Sequence, residues 1–288
     1  MKHYLPTRAL CSLLFILMLP LAMYATAWSP EVIIVDGEEW DLLAKPLNAD
    51  STLRARLEEF LPEDIGWSAG YPDGFIGHWE IIDNKLYLKK IVLAEEERTT
   101  VFNADTLKAV YGDYYTEHGI YAGWFTQEKL RMGRGEVLFC FNLAYNMYYE
   151  EELILSMESG KVTGRKHWHN RVHVEGMELE EEAWQHRFKQ EFPIESFPEL
   201  KERRAILLVH KFKLHPDGHF DDCHIRLLRY GEDGECIEDQ SHPVIEAAKR
   251  TLRNIYPWKV YCIYGEFTPK PIVTFSMPLG GKPKQDNK

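Results

Sequence analysis

An α+β fold is expected, with a mostly antiparallel β region first and a small β-β-α-β module last. Three observations predict it. Short runs of β-branched and aromatic residues recur between turn signals from Glu31 to Val174. Helical spacing of apolar residues is confined to a few stretches, near 51–61, 177–192 and 243–255. From Ala205 onward the patterns read strand, strand, helix, strand.

The elements follow in order. EVIIVDGEEW (31–40) is a β-branched run broken by Asp36-Gly37, a hairpin-type turn. Asp50-Ser51 opens LRARLEEFL, where Leu53, Leu57 and Leu61 share one helix face and Pro62 stops the helix. GFIGHWEII and KLYLKKIVL flank Asp83-Asn84, two residues that tolerate the positive φ of a tight turn. After the acidic run Glu95-Glu96-Glu97 come GIYAGWF, EKLRM, EVLFCFNL, EELILSM and KVTGRKHWHNRVHV. Gly133 and Gly135 separate the second from the third, and Ser159-Gly160 the last two, so this stretch is read as a meander. MELEEEAWQHRFKQEF places Trp184, Phe188 and Phe192 on one helix face and ends at Pro193. IESFPELKERR, with Pro198 and dense charge, reads as a linker.

Composition narrows the function. The 288 residues carry 34 Lys+Arg against 45 Asp+Glu, net -11, with 45% hydrophobic and 13% aromatic residues. That is too apolar for a disordered chain, and too acidic for a general grip on nucleic-acid phosphate or anionic membrane surfaces. The N-terminus has a basic pair (Lys2, Arg8), an apolar run from Leu10 to Leu19 and an Ala25-Thr26-Ala27 cleavage signal. This is the pattern of a secretory signal peptide cut after Ala27. The competing reading is an uncleaved anchor over 9–27, at the lower end of the ~17–25 residues a membrane span needs. A membrane contact is expected only in that case. Cleavage leaves 32 basic and 45 acidic residues, net -13, and four cysteines: Cys140, Cys223, Cys236 and Cys262. Outside the cytosol these allow two disulfides or buried thiols, and Cys223 with Cys236 is the most plausible pair because they bracket one polar turn.

The expected division is a signal peptide (1–27), a β-rich domain of unknown role (28–192), a linker (193–203), the C-terminal module (204–279) and a tail (280–288). In the module, AILLVHKFKL and HFDDCHIRLLR flank the Pro216-Asp217-Gly218 turn. Ser241 is read as the cap of a helix whose buried stripe is Ile245, Ala248, Leu252 and Ile255. KPIVTFSMPL is the closing strand.

Two resemblances bear on these regions. GFIGHWEIIDNKLYLKKI, YAGWFTQEKLRMGRGEVL and YEEELILSMESGKV resemble an uncharacterised family of Bacteroidetes-type proteins, which implies no activity. From about Arg204 to Leu279 the chain resembles the C-terminal domain of TonB, the periplasmic energy transducer. The resemblance rests on strand–Pro-Asp-Gly–strand, the helix followed by Tyr256-Pro257-Trp258-Lys259, and the closing strand ending Met277-Pro278-Leu279. Trp258, Lys259, Gly265 and Pro271 stand where that family has them, whereas Val260-Tyr261 replaces its Pro-Gly. The resemblance implies partner binding by β-strand addition at a sheet edge. The candidate edge is Ile272, Val273, Thr274, Phe275 and Ser276; the alternative is an edge covered by the first domain. In place of the family's membrane anchor the chain has a signal-peptide pattern, and in place of its long Pro-rich spacer a folded acidic region, which argues against full energy transduction.

Little else points to chemistry. His167, His169 and His173 would share one face of a strand, as imidazole ligands need, but the positive charge of Arg171 stands between them, so a solvated edge strand is expected. Asp221, Asp222 and His224 read as exposed arms of a turn. Trp67, Tyr71, Phe75, Trp79 and Trp124 at strand spacing read as core. No nucleophile elbow, P-loop, dinucleotide fingerprint or H-E-x-x-H occurs. The expected function is therefore a periplasmic or secreted, non-catalytic protein-binding module of a Gram-negative envelope, with an envelope protein partner and no catalytic residues, metal or cofactor. The alternatives are an envelope hydrolase with its site in the β-rich domain, marked by a pocket of convergent His or carboxylates, and an anchored, divergent energy transducer.

Overall fold

Two-residue turns with left-handed backbone build the first hairpins. Asp36 and Gly37 take φ of 54° and 84°, and Asp83 and Asn84 take 49° and 57°, the paired positive angles that match a turn to the twist of its strands. They join β1 (Glu31–Val35) to β2 (Glu38–Leu42), and β3 (Phe75–Ile82) to β4 (Lys85–Leu93). The computed structural model describes residues 29–61, 73–93, 104–140, 146–179, 182–201, 205–231, 235–270 and 274–279. The signal segment, Trp67, Tyr71, Glu95–Glu97, Ile272, Val273 and the tail 280–288 lie outside them. Among the described residues no helix is long and apolar enough to cross a membrane.

Helix α1 (Ser51–Glu58) starts where Asp50 accepts from the backbone N–H groups of Thr52 and Leu53, each at 2.9 Å, a cap worth about 1 kcal/mol. Leu53 and Leu57 are its buried face. Helix α2 (Ala104–Tyr111) is not foreseen by the sequence reading. Its eight residues make about two turns, too few for periodicity to stand out, yet it buries Leu107, Val110 and Tyr111. Strands β5 (Tyr115–Thr116), β6 (Gly119–Tyr121), β7 (Lys129–Cys140), β8 (Met147–Glu158) and β9 (Lys161–His169) follow. Gly133 and Gly135 do not separate two strands as expected. They lie within continuous β7, whose register shifts after Arg134, with Gly135 at φ 83°. Glycine here serves a bulge rather than a turn.

The chain forms two compact units, Met1–Trp168 and His169–Lys288. In the first, the strand order is β3-β1-β2-β7-β8-β9-β4-β6-β5, and β3 also pairs with β4. Seven strands thus close a ring, a mostly antiparallel barrel in which β1 and β3 run parallel. Closure removes the exposed edges that an open sheet of this size would carry. Ile33, Trp40, Leu42, Trp79, Leu88, Phe125 and Leu155 are among the residues that fill it, and Phe75, Trp79 and Trp124 are buried with them.

The second unit begins with β10 (Arg171–Val174), α3 (Glu182–Glu191) and the single turn α4 (Pro198–Lys201). There follow β11 (Ala205–Leu214), β12 (Phe220–Tyr230), β13 (Cys236–Asp239), α5 (Val244–Asn254), β14 (Val260–Ile263), β15 (Glu266–Thr268) and β16 (Thr274–Pro278). The β-β-α-β order is present as β11, β12, α5 and β16; β13 and the hairpin β14–β15 are added to it. Two sheets result, β13-β12-β11-β16 and β10-β14-β15.

The expected stripe of α5 is buried in full, with Ile255 just beyond the helix, and Val244, Ala247 and Thr251 widen it. Its start differs from the expectation. Ser241 bonds back to Asp239, and His242 Nδ1 accepts from the Val244 N–H at 3.1 Å. Helix α3, grouped above with the first domain, packs its apolar face into the second core: Trp184 lies 5.6 Å from Trp258 and 5.1 Å from Phe275. The stretch read as a linker is packed as well, with Leu200 fully buried. Local periodicity marks a helix as amphipathic but does not say which core receives it.

Candidate partner-binding edge

The candidate edge is positioned by β11, a central strand whose alternate residues Ala205, Leu207 and Val209 are fully buried. β16 pairs antiparallel to it, Ile206 with Pro278 through His210 with Thr274, and among the described residues it stands at the end of the four-stranded sheet with no strand on its other side. Beyond the strand, the Leu279 N–H donates to the Ala205 carbonyl at 2.9 Å, and this bond sets the phase of the ladder. Antiparallel pairs alternate between those that exchange hydrogen bonds and those that do not. Met277 and Phe275 therefore bond inward to Leu207 and Val209. Thr274, Ser276 and Pro278 turn their main-chain groups toward the open side. Pro278 lacks an N–H, so the open side presents the N–H and C=O of Thr274 and Ser276 and the C=O of Pro278. This is a row suited to pairing with another strand.

Side chains follow the same alternation. Met277 is buried and Phe275 half-buried against Trp184 and Phe212, while Ser276 is exposed. Beside the strand, α3 and the turn after it form a groove of about 210 Å³. Phe188, Phe192, Ile194, Met277 and Leu279 give it apolar walls, with Gln185 and Lys189 at its polar side. An added strand on β16 thus has main-chain partners and an apolar recess next to them. Of the expected site residues, Thr274, Phe275 and Ser276 are on the edge strand, and Ile272 and Val273 are outside the described residues. The groove residues of α3 escape sequence reading because they precede β16 by some ninety positions.

The other sequence candidates do not assemble into a site. The three histidines are not on one strand: His167 and His169 end β9, and His173 is on β10. Between them Asn170 is buried and accepts from the Tyr264 N–H at 3.0 Å. Asp221 lies 3.7 Å from His215, and Asp222 is 2.8 Å from Lys249, the contact that holds its carboxyl below the usual range. Among the described residues no group of three or more His, Cys, Asp or Glu is arranged to hold a metal.

The proposed Cys223–Cys236 pair is not formed. Cys236 pairs in register with Tyr230, and Cys223 lies seven residues farther down β12, roughly 23 Å at ~3.3 Å per residue. A disulfide spans at most ~7 Å between Cα atoms. Burial pushes the Cys223 thiol up to about 12. Alkylation of the native protein at pH 8 is expected to label exposed Cys140 and Cys236 and to spare Cys223 until denaturant is added, as peptide mass mapping will read. Fast native labelling of Cys223 contradicts the buried core assignment.

No protein family, curated protein or solved structure matches this chain.

Proposed function

We propose that this protein acts in the envelope of a Gram-negative bacterium as a protein-binding module, taking an extended segment of an envelope partner as an additional strand on β16. The observation that carries the reading is the open edge itself, with outward-facing main-chain groups at Thr274 and Ser276 beside an apolar groove. Strand addition draws affinity from main-chain hydrogen bonds and selectivity from recesses that take alternate side chains. The N-terminal signal pattern and the TonB-like order of the C-terminal module support the same reading, and the acidic balance fits a soluble envelope protein. An occupant with an apolar residue facing the Phe188–Phe192–Met277 groove fits best.

The experiment is crosslinking and capture with the full mature chain. A fragment starting at 204 lacks α3 and with it one wall of the groove, so the intact chain is the proper bait. A captured envelope protein that is lost when Ser276 is replaced by proline supports the reading. Capture that survives both this change and Phe192→Asp overturns it.

The hydrolase alternative has one observation in its favour: a cavity in the first unit brings His167 near Asp36 and Glu38. Each of those carboxylates faces a guanidinium, however, Arg165 at 2.6 Å and Arg134 at 3.2 Å. Such pairs hold charge in place rather than move protons.

A further inference from the structure

That cavity carries a separate inference. It measures about 330 Å³, at the lower end of the ~300–1,000 Å³ typical of small-molecule sites, which recur in the mouths of β-barrels. Its floor is apolar, formed by Val35, Trp40 and Leu153, all members of the barrel core.

Its rim is a ladder of charge across four strands. Arg134 on β7 lies 4.3 Å over the Trp40 ring and bonds Glu151 of β8 at 2.7–2.8 Å and Glu38 of β2 at 3.2 Å. His167 on β9 is 3.5 Å from Glu151 and meets Trp40 edge-on at 5.7 Å. Arg134 is thereby held by two carboxylates and an aromatic face.

Arg165 is placed differently. Its two terminal nitrogens reach the tips of two hairpins, Asp36 at 2.6 Å and Asn84 at 3.3 Å. The Asp36 side chain is 70% exposed and that of Arg165 36%, and exposed pairs of this kind contribute only about 0–1 kcal/mol. A guanidinium over an apolar floor, held by a weak and replaceable carboxylate, is the arrangement that accepts a carboxylate ligand in a two-pronged fashion.

We propose that the barrel mouth binds a monocarboxylate with an apolar body: the body lies on Val35, Trp40 and Leu153, and the carboxylate takes the place of Asp36 on Arg165. The charge on the rim argues for this class. Glu38 and Glu151 both stay on Arg134, so when Asp36 leaves, the guanidinium of Arg165 meets an incoming carboxylate, and a cation finds no counterpart there. An inorganic anion gains nothing from the apolar floor. Asp36 acts as an internal competitor that returns to solvent when the ligand enters.

Isothermal titration of the full chain with benzoate and octanoate, against benzyl alcohol and octanol, tests this. Saturable one-to-one binding of at least one acid, with neither alcohol bound, is the expected result. Arg165→Gln should weaken binding at least about tenfold, a 1.4 kcal/mol loss, at unchanged circular dichroism. Asp36→Asn, at an exposed turn position whose left-handed backbone suits asparagine, should tighten it severalfold by removing the competitor. The proposal is overturned if no acid binds at millimolar concentration, if the alcohols bind as well as the acids, or if Asp36→Asn weakens binding.

Discussion

Ser276→Pro is expected to reduce partner binding by roughly 30–100-fold while leaving the second unit folded. The substitution removes an outward N–H from the open side of β16, so a carbonyl of the added strand goes unpaired, at about 2–3 kcal/mol. It costs the existing sheet little, because Ser276 belongs to a pair that exchanges no hydrogen bonds with β11. The protein already carries a proline in the same phase two residues on, at Pro278, and edge strands are where proline is tolerated. Phe275→Pro is the opposing control. It removes an inward N–H that bonds Val209 and is expected to lower the melting temperature by several degrees. Affinity and thermal unfolding measured side by side separate the two. Equal loss of stability in both variants contradicts the phase assigned to β16.

Glu31→Gln is expected to abolish a pH dependence of stability that the wild-type protein carries between about pH 4.5 and pH 8. Glu31 sits in the barrel core, 5% exposed, and accepts a hydrogen bond from Trp79 Nε1. Burial pushes its carboxyl from 4.5 up to about 8, with weaker opposing pulls from the Trp79 N–H and Lys45, a further push from Asp73 and a pull from Arg54. Because the folded state holds this proton more tightly than the unfolded state, the group's contribution is fully present below pH 4.5. It is lost as pH rises through 8, by on the order of 5 kcal/mol. The difference between wild type and variant is the quantity to read, since His78 works in the opposite direction: burial and Lys90 push it down to about 4. Denaturant unfolding of both proteins at pH 5, 7 and 9 should show the variant gaining on the wild type as pH rises. A difference that does not change with pH contradicts a protonated Glu31 in the core.

Features governed by neighbouring residues were legible in the sequence. The turns at Asp36-Gly37 and Asp83-Asn84, the α1 face of Leu53 and Leu57, and the α5 stripe all depend on spacing within a few positions, and all are as expected. Long-range decisions were not legible. The Asp83-Asn84 turn announces the β3–β4 hairpin, but nothing local says that β3 also pairs in parallel with β1, a contact that the closed barrel needs. The destination of α3 was equally hidden, because Trp184, Phe188 and Phe192 announce an apolar face without naming the core that receives it. The same limit applies to the sites. Thr274, Phe275 and Ser276 are edge candidates only through the resemblance of the C-terminal module, and the groove beside them required the fold. At the barrel mouth, Asp36 and Arg165 meet across 129 positions, and the sequence places His167 only in line with His169 and His173. The glycines of β7 misled for a related reason: a bulge and a turn use the same residue, and only the partner strand distinguishes them.

Amide hydrogen exchange on β16, with and without a bound partner segment, tests strand addition most directly. In the free protein, Phe275 and Met277 should exchange slowly, because their N–H groups bond β11, and Thr274 and Ser276 should exchange fast. On binding, Thr274 and Ser276 should become protected while the inward pair changes little. A partner that binds tightly and leaves the Thr274 and Ser276 amides as fast as before would show that recognition takes place elsewhere on the protein.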